Sequence, residues 1–133
     1  PSTGYQINNR SNVTESEADR TINWLFKDRN TLDPELVDSF GKIIRLCRDY
    51  RVKVVVVTTP LTDIFIKKAE QHITLDAVYG ATLSHPENAS LIWAHFNYAD
   101  LFPGSYEYFS DASHLNHKGA AVLSRTLAAE LCK

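Results

Sequence analysis

Apolar residues recur at helical spacing in two stretches near the start of the chain. The first begins at Thr14-Glu15-Ser16-Glu17, a capping box whose hydroxyl and carboxylate bind unpaired backbone N–H groups. The second begins at Asp33-Pro34-Glu35, where Asp caps the helix and Pro fits its first position. We therefore predict two amphipathic helices. Their apolar stripes are Ala18, Ile22, Leu25 and Phe26, with Trp24 set off the stripe, and then Leu36, Phe40, Ile43, Cys47 and Tyr50.

Strand patterns follow the second helix. Residues 52–59 are mostly β-branched and stop at Pro60, which predicts a parallel strand covered on both faces. A third helix is predicted over residues 62–73 and a second strand over residues 90–96. Turn residues make the stretch 74–89 ambiguous, with room for a short helix.

The last part of the chain combines a long loop with a terminal helix. The loop spans about twenty residues, and loops of that length are often functional. The helix begins at the N-cap Asn116 and carries apolar residues on one face. The order of elements predicts an α/β fold, with a parallel sheet flanked by helices. We expect one domain over residues 1–133 with an irregular lead-in at 1–13.

Composition excludes several classes of function. The net charge is -2 and no run of basic residues is present, so nucleic acid is not an expected partner. No apolar stretch approaches the roughly 20 residues of a transmembrane helix. Two cysteines, Cys47 and Cys132, are too few for a disulfide scaffold, and we interpret them as free thiols. We expect no cofactor.

The topology nominates one edge of the sheet for chemistry. Ligands of open parallel sheets bind beyond the carboxyl ends of the strands, where the loops 58–62 and 97–115 lie. The second loop contains Asp111 and His114. At this spacing the carboxylate can bind one ring nitrogen while the other points outward. It would then fix the tautomer and stabilise the imidazolium that forms when the ring takes a proton from a serine.

The motif Asp111-Ala112-Ser113-His114-Leu115-Asn116, followed by Lys118-Gly119 and an amphipathic helix, resembles the last sequence block of the SGNH (GDSL-type) hydrolases. The resemblance is clearest over residues 34–133. It implies a flavodoxin-like three-layer fold of which only the C-terminal strands are present. It also implies that Asp111 orients His114, that His114 is the general base of a serine esterase, and that Asn116 and Gly119 are structural.

The order of segments is also similar to the second half of envelope-associated SGNH-like proteins. Residues 54–60, then 91–96, then a tyrosine-rich loop precede the motif in this chain. Those proteins handle acyl groups in the modification of teichoic acids and polysaccharides. The resemblance therefore implies an ester-bearing carbohydrate or lipid as substrate, a hydrolase or O-acyltransferase activity, and a place in the bacterial envelope outside the cytoplasm.

The rest of the family pattern is missing from this chain. No Gly-Asp-Ser-type turn follows a strand, and neither of the later blocks that supply oxyanion-hole donors is present. No serine has the strand-to-helix setting of a nucleophile, or is placed to reach His114 easily. The serines considered are Ser2, Ser11, Ser16, Ser39, Ser84, Ser105, Ser110 and Ser113.

Two interpretations therefore stay open. The chain is the C-terminal portion of a larger SGNH-like domain that supplies the serine, or it is a non-catalytic α/β binding or scaffold domain of the envelope. The absence of strands before residue 52 favours the first. Apolar surface along the edge of the first strand would also favour it, although a second copy in a homodimer could cover such an edge.

Other candidate sites depend on fewer observations. Thr59, Asn97 and Tyr98 follow the two strands at the nominated edge and are candidate substrate-binding residues. Asp111, His114 and His117 could be imagined as metal ligands, but no further ligand is fixed nearby, so we expect no metal site. The aromatic residues of the loop suit either a sugar-stacking wall or packing beneath the loop.

Overall fold

The computed structural model describes residues 10–27 and 29–133 of the chain. Within them the protein is a mixed α/β fold with six α-helices and a two-stranded parallel sheet flanked by helices. Residues 10–13 are irregular, as predicted for the lead-in, and the rest of that segment lies outside the described residues. The elements in order are α1 (Glu15–Phe26), α2 (Pro34–Asp49), β1 (Val54–Thr58), α3 (Asp63–Ala69), α4 (Leu75–Ala81), α5 (Pro86–Ala89), β2 (Ile92–Asn97), a 3₁₀ turn (Tyr106–Tyr108) and α6 (His117–Leu131).

Helix α1 begins where the capping residues predict. The Thr14 hydroxyl accepts a hydrogen bond from the Glu17 backbone N–H at 3.1 Å, which is one half of the predicted capping box. The Glu17 carboxylate, however, accepts hydrogen bonds from the Thr21 hydroxyl and from the backbone N–H of Ala112. The Glu17 side chain, which the sequence pattern predicts as part of the α1 cap, therefore makes a tertiary contact with the long loop.

Only part of the apolar stripe of α2 is covered, because Phe40 and Cys47 are half-buried and the other stripe residues are exposed. The helix begins as predicted, with Asp33 accepting a hydrogen bond from the Glu35 N–H at 2.9 Å and Pro34 in the first position. Ile43 of the stripe is nevertheless 59% exposed, whereas its neighbour Ile44 is 2% exposed. Leu36 and Tyr50 are also exposed. We call the exposed residues Leu36, Ile43, Leu46 and Tyr50 the outward face of α2.

The sheet is less covered than predicted. β1 and β2 pair in parallel, with Val55 opposite Ala94 and Thr58 opposite Asn97. All five residues of β1 are half-buried, so the prediction of a strand covered on both faces is wrong. In β2 burial alternates, and one face, including Trp93, is exposed. The β-branched composition of residues 52–59 indicates a strand, but it does not determine what packs against it.

The core lies beneath the loop that carries the Asp–His motif. Ala18 and Ile22 of α1 pack with Phe65 of α3 and with Ala112 of the loop. Phe109 is fully buried, and aromatic rings of the same loop stack next to it. The loop is thus part of the core, and helices α1 and α3 position it.

Smaller features complete the fold. Helix α3 ends four residues earlier than predicted. Thr74 then caps a short helix, α4, in the stretch for which the sequence pattern is ambiguous. Cys47 and Cys132 are free thiols. Among the described helices, none combines the length and the apolar character that crossing a membrane requires.

Candidate active site

The loop closes into a tight turn around residues 110–116. The backbone of Phe109 bridges that of Leu115, and the Ser110 N–H donates to the His114 carbonyl at 2.8 Å. The Asn116 N–H donates to the Tyr108 carbonyl at 3.0 Å. These bonds bring the two ends of the turn together and present residues 111–114 at its tip.

Asn116 and Gly119 fix this turn to helix α6. The buried Asn116 side chain accepts from the N–H groups of Lys118 and Gly119 and donates to two loop carbonyls, those of Glu107 and Phe109. Gly119 leaves no space for a side chain, because a Cβ there would lie 2.3 Å from the Tyr108 carbonyl oxygen. Both residues therefore have the structural roles that the resemblance implies.

Asp111 and His114 form a hydrogen-bonded pair. The His114 Nδ1 lies 2.9 Å from Asp111 Oδ1 and 3.1 Å from Oδ2. The same Oδ1 accepts hydrogen bonds from the backbone N–H groups of Ser113 and His114, each at 2.9 Å. This contact between the carboxylate and a ring nitrogen is the geometry that the motif predicts.

The electrostatics of the pair keep the carboxylate ionised. Partial burial acts to raise the pKa of Asp111, but the hydrogen bonds from the Ser113 backbone and from His114 outweigh it and hold this pKa below its ordinary value. The ionised carboxylate can thus stabilise a positive charge on the ring beside it. That is the role of the acid in an acid–base pair.

The His114 side chain borders an open groove. The His114 side chain is 75% exposed, and Nε2 has no hydrogen-bond partner among residues 10–27 and 29–133. Beside it lies an open groove of 580 Å³ formed against α1, where the Trp24 indole is 70% exposed. The groove is lined by Glu17, Arg20, Thr21, Trp24, Leu25, Ser113 and His114.

The serines nearest to His114 do not face Nε2. The Ser113 hydroxyl lies 3.2 Å from Nδ1, on the side that the Asp111 carboxylate already occupies. The Ser110 hydroxyl donates to the His114 carbonyl, and its side chain is buried. Within the described part of the chain no serine hydroxyl is hydrogen-bonded to Nε2, so the structure does not supply a nucleophile to the predicted pair.

The predicted substrate-binding residues lie at the carboxyl ends of the strands, but they do not line the groove. Thr59 is exposed immediately after β1, and the Asn97 side chain caps the following turn by accepting from the Ala99 N–H at 3.0 Å. Tyr98 stacks with Phe96, and its hydroxyl is buried without a hydrogen-bond partner in the described structure. Their role in substrate binding stays a prediction.

The structure also assigns contacts that the sequence did not indicate. The sequence pattern predicts no site role for Arg20 or Trp24, yet both line the groove beside His114. Glu17 and Thr62 bind the backbone of Ala112, which lies 95 and 50 residues from them in sequence. No local pattern signals contacts at such separations. Among the described residues, no group of three or more His, Cys, Asp or Glu side chains is arranged to hold a metal ion.

Comparison of the chain with protein-family models, with curated proteins and with solved structures gives no match. The resemblance to the SGNH hydrolases therefore depends on the sequence motif and stays a prediction.

Proposed function

We propose that this chain is the C-terminal portion of an SGNH-type serine esterase or O-acyltransferase, in which Asp111 and His114 form the acid–base pair. The single observation that carries the proposal is the orientation of His114. One ring nitrogen is held by Asp111, and the other is unpartnered in the described structure beside an open groove. A general base must be within hydrogen-bond reach of the proton that it takes, and an exposed Nε2 leaves room for a serine hydroxyl to approach it.

The pair would act on an ester-linked acyl group of a carbohydrate or lipid of the cell envelope. His114 Nε2 takes the proton of a serine hydroxyl while the serine oxygen attacks the ester carbonyl. Asp111 stabilises the imidazolium, which then gives that proton to the leaving alcohol oxygen. Water or a second alcohol releases the acyl group in the second half of the reaction, giving hydrolysis or transfer respectively.

The nucleophile and the oxyanion-hole donors would come from another part of a larger three-layer domain. Three observations support this: the serines nearest to His114 do not face Nε2, β1 is only half-buried, and apolar side chains on α2 face outward. Partly covered strands and large apolar surfaces indicate that further structure packs against them.

The test uses the longest natural protein that contains this chain. We expect it to hydrolyse p-nitrophenyl acetate and to react with a fluorophosphonate probe at a serine that peptide mapping places outside residues 1–133. His114→Gln should lower kcat/KM about a thousandfold and Asp111→Asn about a hundredfold, because general base catalysis contributes 10²–10⁴-fold.

His85→Gln is the matched control, because His85 caps α5 and does not line the groove. It should keep the wild-type rate. Wild-type turnover in the His114→Gln variant would overturn the proposal.

A second function, that of a non-catalytic binding domain, is favoured by the outward face of α2. Ile43 and Tyr50 expose apolar area there that could bind a partner. If the wild-type protein neither turns over the ester nor reacts with the fluorophosphonate, this second function replaces the first.

A further inference from the structure

We infer that Glu17 and Thr62 position the Asp111–His114 pair by holding the two peptide groups of Ala112 from opposite sides. This inference deepens the proposed function and depends on it for its catalytic meaning. Three hydrogen bonds to Ala112 make up this arrangement. The Ala112 N–H donates to Glu17 Oε2 at 2.9 Å, and the Ala112 carbonyl accepts from the Thr62 hydroxyl at 2.7 Å and from the Thr62 N–H at 3.3 Å.

Because the peptide bond is planar, the contacts to Ala112 also fix the groups that bind Asp111. The Ala112 carbonyl and the Ser113 N–H belong to one peptide group and point in opposite directions. When Thr62 fixes the carbonyl, it therefore also aims the Ser113 N–H, which donates to Asp111 Oδ1 at 2.9 Å. Glu17 fixes the preceding peptide group, which joins Asp111 to Ala112, in the same way. The position of the carboxylate thus depends on both contacts.

Both holding residues are themselves fixed. The second carboxylate oxygen of Glu17 accepts from the Thr21 hydroxyl at 2.7 Å, one turn further along α1. Thr62 is 1% exposed, and its hydroxyl also caps α3 by accepting from the Phe65 N–H. The buried Ala112 side chain lies in the cluster between the two helices. A carboxylate that accepts a hydrogen bond in such a setting binds more strongly than a neutral acceptor.

Glu17 is a positioning residue rather than a catalytic one. It lines the groove beside His114, but both of its carboxylate oxygens already accept hydrogen bonds from Thr21 and Ala112. Its effect on His114 passes through the Ala112 backbone and Asp111. A test must therefore separate the reach of the Glu17 side chain from its negative charge.

Three substitutions make that separation. Glu17→Gln loses the charge but keeps an acceptor oxygen at the same reach, Glu17→Asp keeps the charge but is one methylene shorter, and Glu17→Ala loses both. The quantity measured is the pKa of the Asp111 carboxyl group. It is obtained from a pH titration of the Asp111 Cγ signal by ¹³C NMR in the purified chain. A general loss of stability without movement of the turn would not produce the expected order of values.

If the length of the Glu17 side chain, and not its charge, positions the pair, Glu17→Gln keeps the pKa of Asp111 at or below the wild-type value. Glu17→Asp and Glu17→Ala then let it rise toward the ordinary value of about 3.9. If Glu17→Ala does not fold, the comparison of Gln with Asp carries the test. An order set by charge, with Asp like wild type and Gln like Ala, overturns the inference, and so does an unchanged pKa in all variants.

This outcome is distinguishable from failure of the proposed function. Suppose that the Asp111 pKa depends on the length of the side chain at position 17, but the natural protein neither turns over p-nitrophenyl acetate nor reacts with the fluorophosphonate. The positioning role of Glu17 then stands and the esterase proposal fails. If the ester is turned over but the pKa order is absent, only the inference about Glu17 fails. When both hold, kcat should fall in the same order as the Asp111 pKa rises, with little change in KM.

Discussion

The turn at residues 110–116 is held by many tertiary hydrogen bonds, whereas the outward face of α2 is exposed in the described structure. In the turn, the Ala112 N–H and carbonyl are bound by side chains of α1 and of the N-cap of α3, and Asn116 joins four backbone groups. On α2, Ile43 and Tyr50 expose large apolar side chains, although the helix itself is well capped. The candidate Asp–His pair therefore lies in a segment that many hydrogen bonds hold, whereas exposed apolar surface lies on α2.

The sharpest test of this comparison uses two adjacent residues of α2. Ile44→Ala removes a side chain that is 2% exposed and should lower the free energy of unfolding by about 3 kcal/mol, because it leaves a cavity. Ile43→Ala deletes the same atoms from the same helix at a position 59% exposed, and should change it by no more than about 0.5 kcal/mol. Urea unfolding of the two variants, each made in the chain of residues 1–133, measures the difference.

Equal costs at Ile43 and Ile44 would break the comparison, because they would mean that the outward face is covered in solution. A second copy of the chain is one cover that can be tested directly. Light scattering would then show a dimer that Ile43→Ala weakens.

In the turn, the smallest possible addition should be harmful. Gly119→Ala places a Cβ 2.3 Å from the Tyr108 carbonyl oxygen and 2.8 Å from the Leu115 side chain. Overpacking of this kind lowers the free energy of unfolding by about 3 kcal/mol, and the higher helix propensity of Ala raises it by about 1 kcal/mol. We therefore expect a net decrease of about 2 kcal/mol. Thermal unfolding at fixed pH measures it.

The matched control is Gly80→Ala in α4, where a Cβ would meet nothing within 4 Å. This variant should be neutral or up to about 1 kcal/mol more stable. A similar loss at both glycines would show that the close approach of α6 to the loop does not matter.

The sequence predicts the features of both regions that depend on neighbours in the chain. Thr14, Asp33 and Asn116 cap their helices as expected, because a cap binds N–H groups two or three residues away. The Asp111–His114 contact is likewise a spacing of three. Such short-range contacts can be predicted from residue type and spacing.

The same reasoning fails where the partner is distant in sequence. Glu17 matches a capping box, yet its carboxylate binds Ala112, because the fold brings that N–H within reach. The stripe of α2 has the correct period for a buried face, but periodicity does not say whether anything packs against it. Coverage of the β1 strand was mispredicted for the same reason.

The smallest effect that we expect concerns the hydrogen bond between Asp63 and Tyr106, which lies just before the turn in the chain. The Tyr106 hydroxyl donates to the Asp63 carboxylate at 2.7 Å and so ties the loop to α3. The hydrogen bond to this carboxylate, together with its charge and partial burial, raises the pKa of Tyr106 to about 12. A raised pKa means that folding favours the neutral phenol. This stabilisation is fully present below the ordinary tyrosine pKa of about 10 and is lost as the pH rises through about 12.

Titration of the Tyr106 Cζ by ¹³C NMR from about pH 9 to about pH 11 should therefore show little ionisation in the wild type, since the ordinary pKa of about 10 lies inside this range. Asp63→Asn removes the charge but keeps a side-chain oxygen as acceptor, and it should bring the midpoint back toward about 10. An identical midpoint in both proteins would mean that the loop is not held at Tyr106. The constrained segment would then begin closer to Asp111, at the contacts that Ala112 and Asn116 make.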